Sequence, residues 1–449
     1  MTRTCSGWPV IAPRLRASIT FALVPVLAAL ILGWPATAGA ADFSLSGFGT
    51  LGFAKSDKSY RYQRFVDDNG TFRRDSVAGV QLDAVFSPSV GATVQALASP
   101  SSNHDDQFDG TLAWAFVSWR PTNDWLVRMG RQRIPLYLYS QNHDVSVTYE
   151  FARLPTEMYS ISPGNEFNGI SVSTNWNLRN GELVLDGYLG STNVDARYWI
   201  RDGIPQIQQM AGSTFRAITL DGQGVVLSYR TDDGIYRAGL HRSMGRLRNG
   251  TLLPASYPFV SLSPGFGYFQ VDPSLPGPGI DSVRGIRNTI ATIGVDLSLG
   301  NGYRLIGEYA RTLVDDSTVQ IANRSDRGYV SLLKRLDKWT PYVTYAALRS
   351  DAAQRNLYRR VNENTVPSGI PGATLINASQ RAGADGILAY DQSSWSIGTS
   401  YALSPTSKIK AEWMRVRIGQ VSSLVDAPPG SNIRNQSINV ISLSYSLVF

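Results

Sequence analysis

The chain has 449 residues, of which 17% are charged, 10% are aromatic and 41 are glycine. The charged share lies below the ~25% usual in soluble proteins, while a hydrophobic share of 43% excludes a disordered chain. The formal charge of +7 falls to +4 when three N-terminal arginines are set aside, too weak a balance to argue for nucleic-acid binding.

In chain order, the first 40 residues read as a secretory leader. Arg3, Arg14 and Arg16 form a positive region, Ser18 to Trp34 an apolar one, and Ala38-Gly39-Ala40 a small-x-small cleavage site. An uncleaved anchor is the weaker reading, because Pro25, Gly33 and Pro35 interrupt the run. The single cysteine, Cys5, lies in this leader. The expected mature chain, 41–449, therefore has neither disulfide nor thiolate chemistry.

Past the leader no run of ~18 apolar residues is available to cross a bilayer as a helix. What repeats instead is a segment of roughly ten residues that alternates in polarity and ends in a turn, as a transmembrane strand with one lipid face and one wet face requires. Sixteen such segments begin near Phe43, Ser76, Gly91, Thr111, Trp125, Phe167, Glu182, Gly222, Gly234, Thr289, Tyr303, Asp326, Trp339, Ser393, Lys408 and Ser437. In the last, Ile441, Leu443, Tyr445, Leu447 and Phe449 share one face and Ser442, Ser444 and Ser446 the other. The second sets Ala78, Val80, Leu82, Ala84 and Phe86 against Gln81 and Asp83. The eleventh sets Tyr303, Leu305 and Tyr309 against Arg304 and Glu308. In the fifteenth, Ile409, Ala411 and Trp413 oppose Lys408, Lys410 and Glu412. Turning these charges to lipid costs up to ~2–4 kcal/mol each near the midplane, so they are expected to face a wet lumen. Segments four and twelve alternate poorly, as strands beneath an inserted loop or against a neighbouring subunit would.

Seven connections are short and made of turn-forming residues, among them Ser87 to Val90, Pro121 to Asp124, Gly300-Asn301-Gly302 and Ser404 to Ser407. The others are mostly longer, including 55–75, 134–166, 193–221, 244–287 and 350–391. Short and long connections alternate along the chain. That is the asymmetry of short periplasmic turns and longer external loops in outer-membrane barrels. Trp119, Trp125, Tyr303, Trp339, Tyr342, Tyr401 and Tyr445 cluster near segment ends, where aromatic girdles sit. The expected fold is thus all-β: one transmembrane antiparallel barrel of about 16 strands.

Three stretches carry a family resemblance. Phe43-Ser44-Leu45-Ser46-Gly47-Phe48-Gly49 resembles the first strand of the Gram-negative outer-membrane porins. Tyr445, Leu447 and the terminal Phe449 resemble the signal read by barrel-assembly machinery. Gly130-Arg131-Gln132-Arg133-Ile134-Pro135-Leu136 resembles a porin strand entering its third external loop. The whole mature region is similar to this superfamily. The resemblance implies a sixteen-stranded barrel in the outer membrane, surrounded by lipid and lipopolysaccharide. It also implies a homotrimer, no cofactor, a third loop folded into the lumen, and passive diffusion of small polar or ionic solutes.

The expected third loop, about 134–166, holds Tyr137, Tyr139, His143, Asp144, Tyr149, Glu150, Arg153, Glu157, Tyr159 and Glu166. Tyr139, Asp144, Glu150, Arg153 and Glu157 are the candidates for narrowing the channel. Opposite them, Arg128, Arg237, Arg304, Lys408 and Lys410, with Glu308, Glu412 and Asp83, are the candidates for lining it. An acidic loop facing a basic wall orients polar solutes and sets ion preference, here a slight one for anions.

Enzyme chemistry is not expected. His104, His143 and His241 are far apart and form no metal motif. His104-Asp105-Asp106 with Asp109 is read as a solvated loop rather than a calcium site, since no full ligand pattern follows. No nucleophile elbow or phosphate-cradling glycine loop appears. A non-conducting or gated barrel that binds a ligand through its loops is the alternative, kept open by 244–287, and an outer-membrane barrel enzyme is a more distant third.

Overall fold

The computed structural model describes residues 41–162, 164–315 and 319–449. The expected leader lies outside the described residues. Sixteen strands run in chain order round a closed antiparallel barrel. The first eight are β1 Asp42–Ser56, β2 Val77–Ser87, β3 Val90–Pro100, β4 Phe108–Thr122, β5 Trp125–Arg133, β6 Glu166–Leu178, β7 Gly181–Ile200 and β8 Gly212–Thr231. The second eight are β9 Gly234–Leu247, β10 Ile286–Gly300, β11 Tyr303–Val314, β12 Ser325–Lys334, β13 Trp339–Ser350, β14 Tyr390–Ser404, β15 Ser407–Ser422 and β16 Ser437–Val448. Closure joins β1 to β16, from Phe48↔Val448 to Ser56↔Val440, which satisfies backbone groups that lipid cannot. Fifteen of the sixteen expected starts lie within three residues of the observed ones.

The alternation predicted for the strands sorts the two faces. On β16, Ile441, Leu443 and Tyr445 are exposed, while Val440, Ser442, Ser444 and Ser446 are buried. On β14, Trp395 and Ile397 are exposed and Gln392, Ser394, Ser396 and Ser400 are buried. Apolar side chains thus face outward and polar ones inward, the reverse of a soluble protein and the arrangement a bilayer demands. Aromatic pairs stud the outer face: Trp339 with Tyr401 near the short-turn end at 4.6 Å between ring centroids, and Tyr345 with Trp395 farther up the same two strands at 4.9 Å. All seven short connections are tight turns at one end of the barrel. In the β10–β11 turn, Gly300, Asn301 and Gly302 all have positive φ (80°, 50° and 77°), which glycine and asparagine tolerate best.

The poorly alternating strands have local causes. In β4, Gln95 pairs with Trp114 and Ala96 with Leu112, so Ala113 is an extra residue, a β-bulge that shifts the period. On β12, Arg327, Tyr329 and Leu333 are buried beneath the third loop.

Three expectations about the external loops need correction. β7 and β8 continue to Ile200↔Gly212, so 193–221 is mostly a paired ribbon and only 201–211 connects it. Its alternation is carried by Asn193, Asp195 and Arg197, polar residues that read as loop; each strand has 20 residues, about twice a membrane span. The stretch 350–391 holds two helices, α1 Ala352–Glu363 and α2 Ala373–Asp385. The stretch 244–287 holds two short β-ribbons, Leu253–Pro254 with Ser282–Val283 and Phe259–Ser263 with Phe266–Phe269. These loops pack on one another: Tyr257 and Phe269 share an apolar cluster with Val361, Ala384, Ile387 and Val421. Among the described residues no helix is long and apolar enough to cross a membrane.

Candidate functional site

The third loop, between β5 and β6, turns inward. Its entrance is fixed by Arg133, 4% exposed, which pairs with Asp144 and lies 3.4 Å from Glu166. Pro135 and Pro155 punctuate the loop, and a single turn of 3₁₀ helix (Ser146–Thr148) and one of α-helix (Thr156–Tyr159) shape it. Its rings, Tyr137, Tyr139, Tyr149, Phe151 and Tyr159, form one cluster with wall residues Ile306, Tyr329, Leu333 and Tyr342. Phe151 meets Tyr342 edge-on at 5.2 Å, the geometry aromatic quadrupoles favour.

Hydrogen bonds then tie the loop to successive strands. Glu308 on β11 accepts from the Leu138 amide at 2.8 Å, from Tyr329 Oη at 2.9 Å and from Tyr159 Oη. Tyr342 Oη on β13 accepts from the Ala152 amide and donates to Glu412, both at 2.9 Å. Gln392 on β14 donates to Glu157 at 2.9 Å. On β15, Lys410 is fully buried and donates to Ser146 Oγ at 2.8 Å, to the Phe151 carbonyl at 3.1 Å and to the Ser146 carbonyl. Its ammonium also sits 4.3 Å from the centre of the Tyr149 ring. Lys408 pairs with Glu150 at 2.7 Å, and Ser400 donates to the same carboxylate. Arg153 grips Asp75 of the first external loop through two bonds of 3.1 and 2.5 Å. On the far side, Val145 packs against Phe48, Leu97 and Ala113, and Arg237 donates to the Pro135 carbonyl. A buried polar group left without a partner costs about 1–3 kcal/mol, so this dense pairing fixes the loop in one place.

Burial shifts the loop acids in opposite directions. It works against ionisation of Glu150, but Lys408, Ser400 and Lys410 outweigh it and hold that carboxyl below its ordinary range. Glu157, 0% exposed, is pushed up by burial, with Gln392 only partly offsetting it. Asp144 is held low: burial opposes its charge, and His143 and Arg133 prevail.

Open space remains on both sides of the loop. An outer cavity of about 980 Å³ lies among the external loops and the upper ends of β7 to β12. An inner cavity of about 460 Å³, toward the short turns, is lined by Glu150, Arg304, Lys408 and Ser400 among others. Between the loop's stem and the wall of β6 to β10 is a chamber of about 40 Å³, lined by Ile134, Leu136, Phe167, Tyr188, His241 and Ile290. That is room for a few waters at about 10–15 Å³ each. Leu220 and Ile290 line both the chamber and the outer cavity.

The sequence candidates therefore divide. Glu308, Lys408, Lys410 and Glu412 meet the loop that carries Tyr139, Glu150, Arg153 and Glu157; of these, Lys408 and Glu150 form an ion pair, while Lys410, Glu308 and Glu412 bond to neutral groups. Arg304 pairs with Asp296 and lines the inner cavity. Asp83 accepts from Thr93 at 2.6 Å and from Gln81 at 2.7 Å, away from the loop. Arg128 stands 5.6 Å over the Phe116 ring, also away from it. At the chain's end, Phe449 and Gly47 exchange two backbone bonds of 2.9 Å, and Tyr445 faces outward. Tyr188, Ile290, Gln392 and Arg327 carry no sequence expectation, and His241 enters the sequence reading only as a histidine outside any metal motif. The inward polar stripe Gln392, Ser394, Ser396 beside outward Trp395 and Ile397 is a signal that points to one of them.

Among the described residues, side-chain partners of the three histidines are Asn103 for His104, Arg133 and Asp144 for His143, and Tyr188 for His241. Asp105 of the second external loop pairs with Arg64 and Arg197. Among the described residues no three His, Cys, Asp or Glu are grouped to hold a metal ion.

No family model and no curated protein matches the chain. Several solved barrels are similar in outline. OmpT, an outer membrane protein of Vibrio cholerae, is 11% identical over 92% of this chain and 98% of its own, with a TM-score of 0.49. The outer membrane channel DcaP of Acinetobacter baumannii is 12% identical over 93% and 99%, with a TM-score of 0.47. An anion-selective porin from Comamonas acidovorans is 10% identical over 91% and 100%, with a TM-score of 0.48. Likenesses at this level carry no weight beyond themselves. On its own strand pairing, closure, apolar exterior and turn asymmetry, the chain is a sixteen-stranded outer-membrane β-barrel of porin-like architecture.

Proposed function

We propose that the protein is an outer-membrane porin through which small polar or ionic solutes diffuse passively, past a narrowing set by the third loop. The observation that carries this reading is the pair of cavities, about 980 and 460 Å³, lying on either side of that loop. The chamber lined by Leu136, Tyr188, His241 and Ile290 is the route we assign between them. Asp83, Arg128, Arg237, Arg304 and Lys408 belong to the wall of the passage, and Tyr139, Asp144, Glu150, Arg153 and Glu157 to the loop that narrows it. A slight preference for anions is part of the proposal, since Arg128 and Arg237 have no carboxylate within 4.0 Å among the described residues. So are cleavage of residues 1–40, assembly read from Tyr445, Leu447 and Phe449, trimerisation, and a role without catalysis.

The dense strapping of the loop favours a second reading, a gated barrel that opens for a particular ligand. Conductance of the purified, refolded protein in a planar bilayer, with a salt gradient, tests both. Steady stepwise currents in simple salt support the open passage, and three equal substates support a trimer. A folded, heat-modifiable barrel that passes no current in repeated insertions overturns it in favour of the gated barrel.

A further inference from the structure

The outer cavity is larger than a path for water and ions requires, and its wall is mixed in composition. Ile218, Leu247, Leu253 and Ile286 give it apolar sides. Three arginines reach it: Arg197, Arg216 and Arg327. Arg197 is neutralised by Asp105 at 2.9 Å and Asp426 at 2.6 Å. The other two have no ion-pair partner among the described residues. Arg216 lies 5.0 Å over the Tyr198 ring. Arg327, 2% exposed, donates only to neutral groups: Tyr137 Oη at 3.0 and 2.6 Å, and Thr312 Oγ1 at 2.6 Å. The acids on the same lining are otherwise engaged. Asp195 lies 3.9 Å from Arg248, and Asp272 accepts from the Ser274 amide and hydroxyl.

Arg327 is held away from water without a counter-charge, which is unfavourable, and an anion beside the exposed, unpaired Arg216 gains charge-assisted, often bidentate hydrogen bonds. Apolar walls with a few convergent polar groups are the usual make-up of a small-molecule site. An inorganic anion satisfies the arginines but not the walls; an alcohol or hydrocarbon does the reverse.

We propose that the outer cavity binds small amphiphilic carboxylates, with the carboxylate at Arg216 and Arg327 and an aromatic or short aliphatic body against the apolar sides. The inference rests on the channel reading, because it names the class of solute selected ahead of the narrow chamber. Arg216 is exposed at the cavity wall, which makes it the cleaner residue to change.

The test is isothermal titration of the full refolded barrel in detergent with 3-phenylpropionate, with acetate as charge without body and 3-phenylpropan-1-ol as body without charge. The expected result is that 3-phenylpropionate binds and that each partial analogue binds about tenfold or more weakly, the scale of one lost charge-assisted bond. Arg216→Gln should weaken 3-phenylpropionate about tenfold and leave the alcohol unchanged. Arg327→Gln should do the same, with heat-modifiability confirming that its barrel folds. Equal binding of acid and alcohol, or an Arg216→Gln protein that binds as the parent does, overturns the proposal. Potassium chloride conductance of the same preparation separates the two claims. Current without 3-phenylpropionate binding overturns the site and leaves the passage standing; binding without current supports the site and overturns the passage.

Discussion

The two halves of the lumen wall are built from the same alternating strands and end in opposite states. On β11 to β15 the third loop packs against inward residues at several heights, through Glu308, Tyr342, Gln392, Lys410 and the aromatic cluster. On β6 to β10 the contacts are fewer: Ile290 joins the loop's cluster and Arg237 bonds to the Pro135 carbonyl, while Tyr188 and His241 border a small chamber. The difference lies less in the strands than in what the loop carries: most of its rings and its Leu138 and Ala152 amides turn to β11 to β15. A closed barrel thus becomes asymmetric without any change in strand number, and the proposed passage follows the side that holds the chamber.

Removing the loop's grip should break the comparison most. Replacing 139–159 by a short Gly-Ser linker is expected to raise single-channel conductance several-fold, because both halves would then be bare. Filling the chamber should act in the opposite sense: Ser243→Trp, on the chamber wall, is expected to cut conductance by most of its value while Ser394→Trp, on the packed side, perturbs stability first. Lys410→Met removes the buried ammonium and leaves the Phe151 carbonyl without its donor. At about 1–3 kcal/mol for an orphaned group, it should lower the unfolding temperature in detergent and add flicker to single-channel records. The smallest effect concerns pH. Glu150 has a depressed folded pKa, so its contribution is present above its unfolded value of about 4.3 and is lost as pH falls through the folded value. The Glu150 share of flicker should therefore appear only below about pH 4, and Glu150→Gln should remove that acidic step by showing it at every pH.

Much of this frame is legible in the sequence because a bilayer is an unforgiving solvent. Alternation in β2, β11, β15 and β16 follows from the cost of charge in lipid, and the short turns name themselves through residues such as Gly300-Asn301-Gly302. The upper halves of β7 and β8 escape notice because beyond the membrane nothing requires Asn193, Asp195 and Arg197 to be apolar. The helices in 350–391 are likewise hidden: they pack on neighbouring loops, not against a periodic core. Loop residues such as Glu150 and Arg153 can be named as charges from sequence, but their partners, Lys408 and Asp75, are 258 and 78 residues away. Tyr188 and His241 are two aromatic residues among many until the fold sets their rings 5.8 Å apart.

The central claim, that solutes pass along β6 to β10 and not beneath the packed loop, is open to a direct measurement. The chain's only cysteine is Cys5, so single cysteines can be placed at Ser243 and at Ser394 in the refolded 41–449 barrel. A small cationic methanethiosulfonate reagent is then added during single-channel recording. Stepwise loss of current with Ser243→Cys and none with Ser394→Cys is the expected result. Block at Ser394→Cys with Ser243→Cys untouched would place the passage under the loop and contradict the account.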